Sequence, residues 1–160
     1  MSDLEPDSHQ FLKQLSGDAL AVYIRQYREI FDSCPIAHLA TADRDANPHV
    51  IPVCCVSDGN AIFSVLDQKP KTVKLNDLKR VKNILSNPKV SLVIDHYDDN
   101  WQELWYLLVM GNANVIETGQ THSRAIDLLH IKYPQYNNMD IDNNPIIEIK
   151  PTRIISWGIP

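Results

Sequence analysis

Short apolar segments separated by tight turns follow one another along this sequence, and this arrangement constrains the fold more than any other feature. Residues 36–41, 49–56 and 61–66 are apolar segments of strand length, joined by turns at 43–47 and 57–60. Strands linked by such short turns pair as antiparallel hairpins. A sheet built in this way has to close or cover its edges. The sequence therefore predicts a mainly β (α+β) chain whose sheet closes into a small barrel.

The rest of the chain supplies further strands, and helices that would cover the openings of the barrel. Apolar residues at helical spacing predict helices at 18–33 and 121–133, and a third that ends at 87–88. Gly111 lies inside a long predicted strand and indicates a bulge or a close backbone approach. Pro52 cannot donate to a ladder, so it belongs at a sheet edge, a bulge or a site that faces a ligand. Six or seven strands are expected in all, the later ones at 90–94, at 101–110 continuing past Gly111 into 112–118, at 146–149 and at 153–157.

Length, charge and cysteine content exclude several classes of protein. A chain of 160 residues suits one domain, here 1–160 with 1–17 as a polar N-terminal extension. The net charge of −5 argues against a nucleic-acid partner. No apolar segment approaches the roughly 20 residues that span a bilayer, and the acidic start of the chain resembles no targeting peptide. The cysteines lack metal-binding spacing, which fits reduced, buried thiols in the cytoplasm: Cys34, Cys54 and Cys55.

A basic segment stands out against this acidic background. Between residues 69 and 82 a single acid, Asp77, accompanies six cations: Lys69, Lys71, Lys74, Lys79, Arg80 and Lys82. The segment also begins a helix, which Asn76 or Asp77 could cap. The apolar face of that helix is expected to comprise Leu75, Leu78, Val81, Ile84 and Leu85. Because a helix N-terminus presents free N–H groups and a positive dipole end, this position suits a phosphate group. The alternative is a lysine-rich surface that only contacts solvent.

Aromatic residues accompany the basic segment, whereas standard catalytic motifs are missing. The sequence has no nucleophile elbow, zinc-protease helix, Cys-x-x-Cys pair or P-loop. Flat aromatic walls together with a phosphate grip suit a planar phosphorylated cofactor such as a flavin. The alternative role of these residues is to fill the core. The aromatic residues concerned are Trp101, Trp105, Tyr106 and Trp157.

From about residue 20 to residue 158, the order of these features resembles the pyridoxamine 5′-phosphate oxidase-like, FMN-binding split-barrel superfamily. A K-P-K loop, an L-K-R-x-x-N-I helix, a D-H-Y strand end and a D-x-x-W-x-x-L-W segment follow one another in that order. These motifs look most like the branch that uses the deazaflavin coenzyme F-420. The resemblance implies a six-stranded antiparallel split β-barrel with flanking helices. It also implies a homodimer with two cofactor sites between the subunits.

The resemblance assigns a phosphate-binding role to two neighbouring elements. The end of the third predicted strand and the start of the following helix would hold the phosphate, which here means Ser64, Val65, Leu66, Lys79 and Arg80. Lys69 and Lys71 lie in a loop longer than that of the true oxidases. They could reach the phosphate or an acidic cofactor tail.

The resemblance also assigns residues to the cofactor ring. Val53 and Cys54 would lie along the ring, with His49 near the start of the same strand. Tyr106 stands where the oxidases place a ring-contacting glutamine from the partner subunit, and there it would form an aromatic wall with Trp105. The C-terminal arginine/histidine motif of true oxidases is missing, so oxidation of pyridoxamine phosphate is not expected.

The sequence thus favours an oxidoreductase that uses FMN or deazaflavin and transfers hydride to or from a small-molecule substrate. A flavin passes hydride through its central ring, while the protein supplies orientation, hydrogen bonds and a water-poor pocket. No catalytic acid or base is assigned and no metal is expected.

Two alternatives remain open at this point. One is a non-catalytic protein that binds flavin or haem for storage, sensing or trafficking. The other is haem degradation, with His38, His49 or His96 as the axial ligand, although a structural role for these histidines is favoured. Lys132, in the predicted helix 121–133, is expected to be an ordinary surface lysine.

Overall fold

A computed structural model of the protein describes residues 25–67 and 77–159. The α-helices of these residues are α1 (Arg28–Ser33), α2 (Lys79–Ser86) and α3 (Gln120–Lys132), and 3₁₀ helices occur at Trp101–Glu103 and Pro134–Asn138. One sheet contains the strands β1 (Ala37–Ala42), β2 (Pro48–Val53), β3 (Val56–Ser57), β4 (Ile62–Val65), β5 (Lys89–His96), β6 (Trp105–Ile116) and β7 (Ile146–Trp157). None of the helices in the described ranges is long and apolar enough to cross a membrane.

The sheet is antiparallel throughout, and its two edge strands are consecutive in the sequence. Its strand order is β2-β1-β5-β6-β7-β4-β3, and only Cys54 and Cys55 separate β2 from β3. The backbone from Val53 to Val56 spans at most about 11 Å, so the sheet has to curl until its edges approach each other. The predicted mainly β split barrel with flanking helices is therefore confirmed.

Two of the predicted strand boundaries are wrong. The segment 49–56 is not one strand, because the chain leaves β2 after Val53 and joins the opposite edge of the sheet as β3. The segments 146–149 and 153–157 are instead one continuous strand, β7. The sheet consequently has seven strands where the resemblance implied six. Pro52 lies in the edge strand β2, where its missing N–H costs no ladder bond.

A bulge at Gly111 lets β7 pass its proline. Gly111 pairs with Pro151 while Met110 pairs with Arg153, which leaves Thr152 as an extra residue on β7. A Cβ atom at Gly111 would lie 2.5 Å from the backbone oxygen of Lys150. The prediction of a bulge or a close backbone approach at Gly111 is confirmed on both counts.

The main core fills the inside of the barrel and is closed by α1 and α2. Alternate residues of β6, such as Leu107 and Val109, point into it, and Phe31 of α1 and Val81 and Ile84 of α2 cover it. A second core cluster lies between α3 and β3–β4 and contains Phe63, Val65, Ala125, Leu129 and Ile146. Buried and exposed residues thus alternate along β6, so one face of the strand lies against the main core.

Helix α2 differs in detail from the sequence prediction. Its N-cap is Leu78, which has extended backbone and makes no side-chain cap hydrogen bond. Asp77 instead pairs with Lys82, at 3.0 Å. Leu85 is 69% exposed, and Asn83 is buried with Val81 and Ile84. The predicted cap Asn76 and apolar residue Leu75 lie outside the described residues, as do the extension 1–17 and the first turns of the helix predicted at 18–33.

The prediction that Lys132 is an ordinary surface lysine is wrong. Its ammonium donates hydrogen bonds to the backbone oxygens of Phe31, Cys34 and Cys55. Burial lowers the pKa of Lys132. The side chain therefore belongs to the packed interior between α3, α1 and the link from β2 to β3.

Candidate functional site

The start of helix α2 brings one of the predicted phosphate ligands, Lys79, next to a carboxylate. Lys79, the first residue of α2, donates to Oδ2 of Asp43 at 3.0 Å. Its side chain is half exposed. The ammonium of Lys79 is thus already neutralised by an acid from the β1–β2 turn, which sequence reasoning did not anticipate.

Asp43 organises that turn. Its Oδ1 accepts hydrogen bonds from the backbone N–H groups of Asp45 and Asn47, at 3.1 and 3.0 Å. Ala46 has φ of +61°, so the turn includes a left-handed residue that the Asp43 bonds help to hold. The hydrogen bond from Lys79 and then those from Asn47 lower the pKa of Asp43 from 3.8 to about 2.

The acidic pKa of Asp43 predicts a specific pH dependence. A carboxyl group whose pKa is lower in the folded than in the unfolded state stabilises the fold above the unfolded value. That contribution is lost as the pH falls from 3.8 to about 2. We expect the carbon NMR resonance of the Asp43 carboxyl to titrate near pH 2, and at a higher pH in a Lys79→Met variant, although still below 3.8 because the hydrogen bonds from Asn47 remain. An unchanged midpoint in the variant would show that Lys79 does not contact Asp43 in solution.

Arg80, the next residue of α2, has a different environment. Its side chain is partly buried, and within the described residues it has no carboxylate at ion-pair distance. Burial lowers the pKa of Arg80, and the charge of Asp67 opposes that shift. Asp67 follows the end of β4 by two residues. The effect of its charge on the pKa of Arg80 therefore indicates that the guanidinium lies within electrostatic range of that end of the strand.

The end of β4 is the other half of the predicted phosphate site. Ser64, Val65 and Leu66 are all buried, and Ser64 pairs with Ile147 of β7. The N–H of Leu66 donates to the oxygen of Pro145 at 2.9 Å, so this donor is already used. Arg80 is thus within electrostatic range of Asp67, two residues beyond the end of β4, whereas Lys69 and Lys71 lie outside the described residues.

His49, Val53 and Cys54 follow one another along β2 and beyond its end. His49 is half-buried and pairs with Thr41, whose Oγ1 donates to the His49 oxygen at 3.4 Å. Val53 is buried in the main core, and Cys54 is half-buried against the second core cluster. His49 thus lies near the start of β2, and Val53 and Cys54 lie where the chain passes from β2 to β3.

A buried polar pair connects α2 to β1 at this end. Asn83 is 1% exposed, and its Nδ2 donates to Oγ1 of Thr41 at 3.0 Å. Its Oδ1 has no hydrogen-bond partner within the residues that the structure describes. Asn83 is the asparagine of the L-K-R-x-x-N-I motif, but the sequence analysis assigned it no role; an asparagine within an apolar helical face is the signal that indicates a buried polar contact.

Trp105 and Tyr106 lie on opposite faces of β6. Trp105 packs against the main core and stacks on His96, with ring centroids 5.9 Å apart. Tyr106 points outward, is 37% exposed and stacks on Trp157 at 6.0 Å. Since Val53 faces the inside of the barrel, one chain does not present Tyr106 and Val53 to the same cavity.

The outer face around Tyr106 is apolar over several strands. Val93, Leu108 and Ile155 are neighbours across β5, β6 and β7. Met110 and Trp157, which are 36% and 42% exposed, extend the same face above and below. We call the patch formed by Val93, Tyr106, Leu108, Met110, Ile155 and Trp157 the outer apolar face.

Comparison with known proteins agrees with this architecture. Rv2991, a conserved hypothetical protein from Mycobacterium tuberculosis, superimposes with a TM-score of 0.65 and 19% identity over 91% of this chain and 90% of that chain. HutZ, described as a haem storage protein from Vibrio cholerae, gives 0.66 and 14% over 82% and 92%. General Stress Protein 26 from Bacillus anthracis gives 0.61 and 15% over 86% and 95%. At these identities the likeness concerns the fold alone.

The sequence itself identifies the family. None of the curated proteins matches the chain. The family model described as pyridoxamine 5′-phosphate oxidase matches residues 24–158, which include every described strand and helix. The closed sheet with consecutive edge strands, the helix start beside the end of β4 and this match lead to one conclusion: the chain belongs to the pyridoxamine 5′-phosphate oxidase family.

Proposed function

We propose that this protein is an oxidoreductase that binds FMN or a deazaflavin and transfers hydride to or from a small molecule. The observation that carries the proposal is the environment of Arg80. A partly buried guanidinium without an ion-pair partner in the described ranges lies at a helix start, close to the end of β4. Such a group is suited to a phosphate, because Arg presents several donors in a planar arrangement.

The residues present fit a flavin phosphate, with one opposing feature. Asp67 carries a negative charge near Arg80 and would repel a phosphate placed beside it. The donors of Arg80, which have no carboxylate partner among residues 25–67 and 77–159, and the dipole of α2 favour an anion, and the basic segment 69–82 adds further cations. Arg80 is therefore the proposed principal phosphate ligand, with Lys79, Lys69 and Lys71 contributing charge and Ser64 and Val65 forming the wall of the site.

When bound, a flavin or deazaflavin supplies hydride transfer through its central ring. The chain would orient that ring along Val53 and Cys54, with His49 near its edge. Val53 is buried and apolar, so this side of the site excludes water.

The arrangement of the aromatic residues supports a homodimer. Tyr106 and Val53 lie on opposite faces of one sheet, so a cofactor that contacts both has to receive Tyr106 from a second copy. The outer apolar face supplies a surface on which two copies could pack. We therefore propose a homodimer with the cofactor between the subunits. The free thiols of Cys34, Cys54 and Cys55 favour a location in the cytoplasm.

Titration with each cofactor tests the proposal directly. We expect the purified protein to bind FMN or the deazaflavin at micromolar concentration, followed by the visible absorption and fluorescence of the cofactor. Reduction of the bound cofactor by a nicotinamide donor or a sugar-phosphate system would support catalysis. Absence of micromolar binding of either compound would refute the enzyme proposal.

Removing Arg80 should weaken FMN binding more than removing Lys79. A charge-assisted hydrogen bond contributes about 1.5–3 kcal/mol, or roughly 10- to 100-fold in Kd, so Arg80→Ala should lie in this range. Lys79→Ala should have a smaller effect, because the ammonium already binds Asp43. Lys89→Ala removes an exposed cation from β5 and serves as the control. Equal effects of all three substitutions would indicate a lysine-rich surface without a specific site.

The structural likeness to HutZ supports one competing function, the binding of haem. His38 and His96 are exposed, and each has a carboxylate nearby, Asp95 at 3.7 Å and Asp98 at 3.9 Å. Addition of haem would then produce a Soret band that is lost in the histidine-to-alanine variant of the ligand. A flavin complex without such a band would favour the oxidoreductase.

A further inference from the structure

The C-terminal end of α3 binds the link between the two edges of the barrel. Lys132, the last residue of α3, donates to the oxygens of Cys34 and Cys55 at 2.8 and 2.7 Å, and also to the oxygen of Phe31. An ammonium has three hydrogens, and all three are used on backbone oxygens. These oxygens belong to the end of α1, the residue that follows α1, and the Cys54–Cys55 link.

Tyr133, the next residue, also binds the same link. Its hydroxyl accepts the N–H of Cys55 at 2.9 Å and lies 2.9 Å from the Cys55 oxygen and 3.1 Å from the Pro35 oxygen. A hydroxyl has one hydrogen, so it donates to one of these two oxygens at a time. Cys55 belongs to no strand, and its backbone N–H and oxygen are hydrogen-bonded instead by Lys132 and Tyr133.

The thiol of Cys55 does not explain why the Lys132 ammonium lies here. Burial raises the pKa of the Cys55 thiol to about 11, so the group is neutral near pH 7 and is no counter-ion for Lys132. The Lys132 ammonium also lies 4.8 Å from the centre of the Tyr133 ring. Its partners are therefore three backbone oxygens, which it holds in place, and the Tyr133 ring, which provides a cation–π contact.

We propose that Lys132 and Tyr133 are positioning residues for the cofactor site. By binding the backbone N–H and oxygen of Cys55, they set where β2 ends and therefore where Val53 and Cys54 lie. The link to the cofactor rests on the proposed function, since Val53 and Cys54 are the residues assigned to the ring. The contacts to α1 and to Cys55 do not depend on it.

Two measurements test this role. The first is amide hydrogen exchange of the peptide 53–57 in the protein without added cofactor. In Lys132→Met we expect exchange of this peptide to accelerate about tenfold or more, while the central peptide 107–113 of β6 remains protected. Tyr133→Phe removes only the hydroxyl and should give a smaller acceleration at the same peptide. Lys89→Met, which removes an exposed lysine of β5, is the control and should change neither peptide.

The second measurement is made with FMN, well below the unfolding temperature of each variant. Lys132→Met and Tyr133→Phe should weaken FMN binding, by about tenfold for the former, and should shift the reduction potential of the bound FMN. A role in stability alone would leave that potential unchanged. Unchanged exchange at 53–57 in both variants would overturn the proposal, and accelerated exchange with unaltered FMN binding and potential would overturn its link to the site. Wild-type protein that fails to bind FMN would refute the proposed FMN site, and the exchange data would then decide the positioning of Cys55 by themselves.

Discussion

Gly111→Ala is expected to lower the free energy of unfolding by about 3 kcal/mol, within the range for overpacking a buried position. The new Cβ would lie 2.5 Å from the oxygen of Lys150 and 3.1 Å from Cγ2 of Ile149. Both atoms belong to β7, which pairs with β6 along most of its length. Because the nearest atom is backbone, the conflict cannot be relieved by a side-chain rotation, and the two central strands have to separate.

A second glycine separates lack of space from backbone strain. Gly119 has φ of +103°, yet a Cβ there would meet nothing within 4 Å. Its ψ is −179°, and this combination of angles is essentially confined to glycine, so Gly119→Ala should cost only that backbone strain, about 1–3 kcal/mol. Urea denaturation of both variants and the wild type gives the comparison. A loss at Gly111 no larger than that at Gly119 would mean that the bulge yields to an added methyl group.

Local patterns in the sequence were sufficient to predict most of the strands and the helix faces. The apolar segments and the turns between them predict most of the strands, and Gly111 predicts the bulge. Such signals depend on neighbours a few residues away, and burial in the barrel acts on them in the expected direction.

Contacts between distant parts of the chain could not be predicted in this way. Asp43 and Lys79 are 36 residues apart, and Lys132 contacts residues that precede it by 77 to 101 positions. Nothing in the local pattern around Lys132 distinguishes it from an exposed lysine at a helix end. The departure of the chain from β2 after Val53 is likewise set by closure of the barrel, since the apolar run 49–56 continues without a break.

The candidate site was predictable in outline for the same reason. The basic segment indicates an anion site because its charge opposes that of the chain, but the charge alone does not rank its members. Lys79 and Lys82 have carboxylate partners at 3.0 Å, and Arg80 has none at ion-pair distance within the described residues. Asp43, the partner of Lys79, comes from the distant β1–β2 turn. Asp77, the partner of Lys82, lies next to the N-cap of α2.

Leu108→Glu is expected to convert the proposed dimer to a monomer. Leu108 lies at the centre of the outer apolar face, between Val93 of β5 and Ile155 of β7. A carboxylate buried there without a partner, once in each copy, should weaken the dimer by at least about 100-fold in Kd. In the free monomer the same side chain reaches solvent, so the unfolding temperature should change little. Analytical ultracentrifugation at micromolar concentration measures the association.

The FMN affinity of the same variant tells whether the dimer completes the site. If Tyr106 reaches the cofactor from the second copy, the affinity should fall together with the association, because Tyr106 and Val53 lie on opposite faces of one sheet. Ile131→Glu is the control, since Ile131 of α3 is 78% exposed and lies away from the outer apolar face. It should leave both quantities unchanged. A monomeric Leu108→Glu variant that binds FMN as tightly as the wild type would place the whole cofactor site within one chain, and Tyr106 would then have no part in it.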